Sequence, residues 1–152
     1  MVVVFVSGCT DSASADLTKT FSKGSISFNY LSDWFEMPYK DKGVKSYAQI
    51  IGLVGSANLD YDLTVQKISS STIKQVKDET MQFNKLNYNA KIINETPTTV
   101  NGMSAYQVVY TEKNPDVSDT RMKTSSYLIQ KGNTVYLMCF RAYSVDNFDK
   151  YL

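Results

Sequence analysis

Ser71-Thr72-Ile73-Lys74 reads S-x-x-K. In that spacing a lysine one helical turn beyond a serine can take its proton and make the hydroxyl a nucleophile. The motifs that would complete such a site fail: Ser32-Asp33 runs into Trp34 rather than Asn, and Lys123-Thr124 into Ser125 rather than Gly. A capped first helical turn with an exposed Lys74 explains the same residues without catalysis. A serine hydrolase using Ser71 and Lys74 is therefore the runner-up reading, and no catalytic residue is assigned. Asn58, Asp60 and Asp62 alternate as hard oxygen ligands for calcium might, but Leu63 stands where the turn glycine of an EF-hand belongs and Ser69 where its bidentate glutamate belongs. They read as a solvated strand start, and neither a metal nor any other cofactor is expected. Cys139 lies in the apolar run Val135 to Phe140 of a chain with no histidine to activate it, so it reads as a buried, inert thiol. Asn94-Glu95-Thr96 is an N-glycosylation sequon, disfavoured by Pro97 directly after it.

Cys9 has a different chemistry. Val2 to Val6 is an apolar run too short to span a bilayer, which takes about 20 residues, and it ends in the small residues Ser7 and Gly8. Val6-Ser7-Gly8-Cys9 resembles the lipobox of prokaryotic lipoproteins, in which cleavage precedes the cysteine and a lipid is attached to its sulfur. Thr10 to Thr20 is dominated by Asp, Ser, Ala and Thr and has too little apolar content to pack. The expected organisation is a partial signal peptide over 1–8, a lipid-attached flexible tether over 9–22, and one folded domain over 23–152. The alternative is that Val2 to Val6 is a strand and Cys9 an ordinary core residue. Met1 leads straight into the apolar run without the usual Lys or Arg of a signal.

Composition narrows the partners. Sixteen Lys and Arg against fifteen Asp and Glu leave a net charge of +1, which gives a polyanion little to hold, so nucleic acid is not an expected partner. The 43% of apolar residues is enough for one packed core. Eleven tyrosines and seven phenylalanines could stack on sugars or form an interface. Trp34, Tyr39 and Tyr61 are the candidate binding-surface aromatics, although alternating Tyr106, Val108 and Tyr110, and Tyr136, Met138 and Phe140, read as core faces of strands.

The elements that must position these residues follow from periodicity. Ser25 to Tyr30 alternates as a half-buried strand, and Trp34 to Met37 is a short or edge strand stopped by Pro38. Ser46 to Val54 and Tyr61 to Ile68 predict a hairpin turned by Gly55 to Asn58. Thr72 to Leu86 predicts a helix capped by Ser71 or Thr72, with Ile73, Val76, Thr80, Phe83 and Leu86 as its buried stripe. Asn101-Gly102 and Lys131-Gly132-Asn133 each predict a tight hairpin, the first joining Lys91 to Val100, which holds Pro97, to Met103 to Glu112. From Ser144 a closing helix is expected, cut short at Leu152. The class is α+β: a single domain with an antiparallel β-sheet flanked by helices.

With that order, Gly24-Ser25-Ile26-Ser27-Phe28-Asn29-Tyr30-Leu31-Ser32-Asp33-Trp34 resembles the opening of the Mog1/PsbP superfamily, and of the PsbP-like prokaryotic lipoproteins in particular. Leu31 stands where the family usually has proline. Val100-Asn101-Gly102 with Ala105-Tyr106, and Thr134-Val135-Tyr136 with Phe140 and Phe148, resemble its later hairpins and closing helix. The resemblance implies a Mog1/PsbP-like fold and a non-catalytic accessory or binding role. The expected protein is thus an exported lipoprotein on the outer face of the cytoplasmic membrane, held there by the lipid on Cys9, with a protein partner in the envelope. Binding of a small solute or glycan is the other alternative.

Overall fold

The computed structural model describes residues 2–5, 19–23, 26–38, 48–56, 58, 60–114, 120–145 and 148. They form ten strands and one helix: β1 (Val2–Phe5), β2 (Lys19–Lys23), β3 (Ile26–Tyr30), β4 (Trp34–Glu36), β5 (Ala48–Ser56), β6 (Tyr61–Ser69), α1 (Ile73–Tyr88), β7 (Lys91–Val100), β8 (Met103–Lys113), β9 (Arg121–Lys131) and β10 (Thr134–Ala142). The molecule is mostly strand. An expected sheet flanked by helices is met by one helix among the described residues, and that helix is not long and apolar enough to cross a membrane. Most of the closing helix expected from Ser144 lies outside the described residues. Phe148, which belongs to it, is buried, with its ring 6.0 Å from that of Phe140.

Seven strands make one antiparallel sheet in the order β4-β5-β6-β10-β9-β8-β7. After β6, α1 carries the chain to the far edge, and two hairpins then build the sheet back until β10 closes against β6. Both hairpin turns rest on backbone with positive φ, at Asn101 and Gly102 (49° and 74°) and at Gly132 (57°). Such angles cost glycine nothing and asparagine little. The three-residue β4 and the Pro97-containing β7 end the sheet, β7 at an edge where proline's missing ladder donor is tolerated.

The sheet has two unlike faces. On one, Trp34, Val54, Tyr61, Leu63, Val65, Ile129, Tyr136, Met138 and Phe140 pack with Phe21, Ile26 and Phe28 of a second, three-stranded sheet ordered β1-β3-β2. On the other, Ile68, Val108, Leu128, Val135 and Leu137 pack under Val76 and Met81 of α1. Thr72 caps α1 with a reciprocal capping box to Gln75, and Asn89 ends it in the left-handed conformation. The buried stripe differs from the expected one. Met81 replaces Phe83, and Phe83 and Leu86 are exposed, because the sheet packs against the side of α1 that carries Val76 and Met81, a rotation that 3.6-residue spacing alone does not fix.

The N-terminal boundary also shifts. Thr20-Phe21-Ser22 alternates, and Phe21 is buried with its ring stacked 4.8 Å from that of Phe28. The last residues of the expected 9–22 tether therefore belong to β2. Val2–Phe5 pairs in parallel with β3, Val2 opposite Ile26 and Phe5 opposite Asn29. Cys9 and the rest of the stretch expected to be a lipobox lie outside the described residues.

Candidate functional site

Where α1 stops covering the sheet, the buried face turns polar. Residues opposite one another in the ladder place Asp62 on β6 against Arg141 on β10, Arg141 against Thr124 on β9, and Thr124 against Tyr110 on β8. One register step away, Thr64, Cys139 and Ser126 form a second row, and Glu112 lies two residues beyond Tyr110 on the same face of β8. Alternation puts all of them on the helix side. Asp62, Thr64, Tyr110, Glu112, Thr124 and Ser126 are all buried.

The network is closely bonded. Arg141 donates through Nε to Asp62 Oδ1 at 3.0 Å and through Nη2 to Thr64 Oγ1 at 3.0 Å, while Tyr143 donates to Asp62 Oδ2 at 2.5 Å. Thr124 donates to Glu112 Oε1 at 3.2 Å. Ser126 Oγ lies 3.2 Å from Cys139 Sγ and donates to the Tyr110 hydroxyl at 3.5 Å, and Asn84 of α1 donates to the same hydroxyl at 3.1 Å. Each buried polar atom named here thus recovers part of the hydration it lost.

Burial sets the protonation states. It disfavours charge on Arg141, but the Asp62 carboxylate and its hydrogen bond, with smaller contributions from Cys139 and Tyr143, together outweigh burial and hold the guanidinium cationic. Burial pushes the Cys139 thiol up to about 11, against the lowering pull of Ser126 and Arg141. It raises the Tyr110 phenol out of the working range as well. Neither group offers an anionic nucleophile near neutrality. Glu112 is also raised, first by burial, with Arg141 and the Thr124 hydrogen bond opposing. The chemistry within reach is one fixed ion pair, a set of neutral hydrogen-bonding groups and a single carboxyl whose proton is held more tightly than usual.

The residues singled out by sequence are not gathered there. Lys74 bonds Asp78 at 2.7 Å, and Ser71, one position ahead of the helix cap, donates its hydroxyl to the Ser69 carbonyl at 3.3 Å. Trp34 and Tyr61 are not surface aromatics. Each is 4% exposed, and their rings stack with one another and with Phe140 at 6.0–6.3 Å in the core. Their apolar area is worth more inside the sheet packing than in water. Tyr39 lies outside the described residues. Asn94 is exposed on edge strand β7, and its amide donates to Thr96 Oγ1 at 3.2 Å. Of the calcium-like trio, Asn58 and Asp60 bond each other in the turn, while Asp62 turns inward to Arg141 instead of starting a solvated strand. Sequence reasoning missed Asp62, Glu112 and Arg141 as a group. The available signal was period two: Glu112 continues the alternating series Tyr106, Val108, Tyr110, and Arg141 continues Val135, Leu137, Cys139.

Comparison with a solved structure supports this architecture. No curated protein matches by sequence. The solution structure of cyanobacterial PsbP (CyanoP) from Synechocystis sp. PCC 6803 is similar with a TM-score of 0.64 at 16% identity, covering 94% of this chain and 89% of that one. A protein of unknown function from Pseudomonas aeruginosa aligns with a TM-score of 0.49 at 6% identity, over 87% of this chain and 86% of its own. The family model described as PsbP-like protein matches residues 5–150, and the chain belongs to that family.

Proposed function

We propose that this PsbP-like protein is an exported lipoprotein, fixed by a lipid on Cys9 to the outer face of the cytoplasmic membrane, whose domain binds a protein partner in an accessory, non-catalytic role. The observation that carries the reading is Val6-Ser7-Gly8-Cys9, an aliphatic residue and two small ones before a cysteine, followed at once by a polar stretch. The geometry supports binding over catalysis. Ser71 and Lys74 are engaged by separate partners, and the thiol of Cys139 is held protonated. Glycan binding loses support because Trp34 and Tyr61 are buried in the core.

The test is expression of the full chain in a bacterium that processes lipoproteins. Wild type should enter the detergent phase on phase separation and begin, by mass spectrometry, at an acylated Cys9, whereas Cys9→Ser should stay in the aqueous phase. Identical partitioning of the two would sink the anchor. Fluorophosphonate labelling that disappears in Ser71→Ala would instead promote the hydrolase reading.

A further inference from the structure

β3 is held in the fold from more than one side. Its residues Ile26 and Phe28 are 1% and 0% exposed in the core shared with the large sheet, and its other edge is zipped to β2 from Ile26 opposite Lys23 to Tyr30 opposite Lys19. On its remaining edge β1 adds a parallel ladder of four residue pairs. A chain cut before Cys9, as the lipoprotein reading requires, loses the whole of β1. It would then keep an ordered strand with one open edge, whose unsatisfied N–H and C=O groups are a template for another strand.

We propose that the β3 edge is a strand-docking slot. Residues 2–5 fill it in the precursor, and an extended, β-branched apolar segment of a protein partner fills it in the mature lipoprotein, in the same parallel register. The inference rests on the processing step of the proposed function. The occupant's chemistry is read from the strand seated there: Val-Val-Val-Phe, uncharged and β-favouring. Main-chain hydrogen bonds would supply affinity, and the alternating side chains would supply selectivity.

The experiment uses the full chain with a protease site inserted between residues 9 and 18, cut after folding. Hydrogen exchange at Ile26–Tyr30 should accelerate once the released segment is separated by gel filtration, while β8 to β10 stay protected. A labelled synthetic peptide of the residues 1–8 sequence, made soluble by a lysine tail, should restore that protection saturably. The same peptide carrying Val3→Pro and Val4→Pro, one of which must remove a ladder donor, should bind about tenfold more weakly or worse, equivalent to about 1.4 kcal/mol. The slot is overturned if β3 exchange is unchanged by the cut, if the cut segment stays bound and does not exchange for labelled peptide, if β8 to β10 lose protection with β1, or if the proline peptide binds equally. None of these readouts depends on acylation. A chain acylated at Cys9 that fails them is an anchor without a slot, and an unacylated chain that passes them has the slot but keeps β1 as its occupant.

Discussion

Asp62 and Arg141 face each other across the β6–β10 ladder, so each is the other's main compensation for leaving water. The side chain of Asp62 is 5% exposed and that of Arg141 32%. Removing one partner strands a buried or partly buried charge, and Asp62→Ala should cost about 3 kcal/mol, the lower end for a buried pair because the Arg141 side chain keeps some exposure. The double variant Asp62→Ala, Arg141→Met should lose clearly less than the losses of Asp62→Ala and Arg141→Met added together. Urea denaturation of the four proteins measures that coupling. Glu112 works with the opposite sign. Its carboxyl is raised above the ordinary 4.5 in the fold, chiefly by burial, so between 4.5 and its higher folded value the native state binds more protons than the unfolded chain. Stability from this residue is greatest below that window and falls as pH rises through it. Glu112→Gln keeps an acceptor for Thr124 and carries no charge to desolvate. The variant should therefore lack the decline that Glu112 is expected to give wild type on going from about pH 4.5 toward neutrality, and a pH series of urea midpoints would show it. A wild type whose stability rises across the window relative to the variant would contradict the burial account.

At the level of elements, period two and turn chemistry were legible, because a strand with one wet face and a turn with positive φ each leave a local mark. Asn101-Gly102 fixed the β7–β8 hairpin, and alternation marked β3 and β8. The helix stripe was partly misread. Phe83 and Leu86 are apolar and correctly spaced from Val76, yet the sheet meets α1 along Met81 and Asn84, a rotation that only tertiary packing decides. Gly52 shows why such contacts are silent in sequence. It is the first paired residue after an irregularity in the β5–β6 register, which passes from Ile50 opposite Gln66 to Gly52 opposite Val65, and a Cβ there would lie 2.5 Å from the Phe21 ring. The bare backbone of β5 thus lets the small sheet settle onto the large one. Gly52→Ala should destabilise by about 1–3 kcal/mol through overpacking. Adding Phe21→Leu should recover part of that loss, whereas Phe21→Leu alone should only destabilise. Thermal unfolding of the three variants would decide it, and additive losses would place the clash elsewhere.

Across the whole molecule the open question is where the domain begins. Sequence composition put the boundary at Lys23, since Thr10 to Thr20 is polar and small. Phe21 among Thr20, Ser22 and Lys23 gives little apolar content to a composition window, yet it is 3% exposed and stacked on Phe28 at the centre of the core shared by the two sheets. A single aromatic can tie a polar strand down because its burial alone is worth a few kcal/mol, comparable to the whole net stability of a small domain. Two chains differing only in the segment Lys19 to Ser22 separate the views, since both lack β1. If composition sets the boundary, chains starting at residues 19 and 23 unfold at the same urea concentration. If β2 is integral, the shorter chain forfeits Phe21 and the β2 ladder, uncovers the second edge of β3, and loses at least about 3 kcal/mol. In a domain this close to the stability threshold that loss should appear as partial unfolding or aggregation at ambient temperature, with an open β3 available for edge-to-edge pairing between copies.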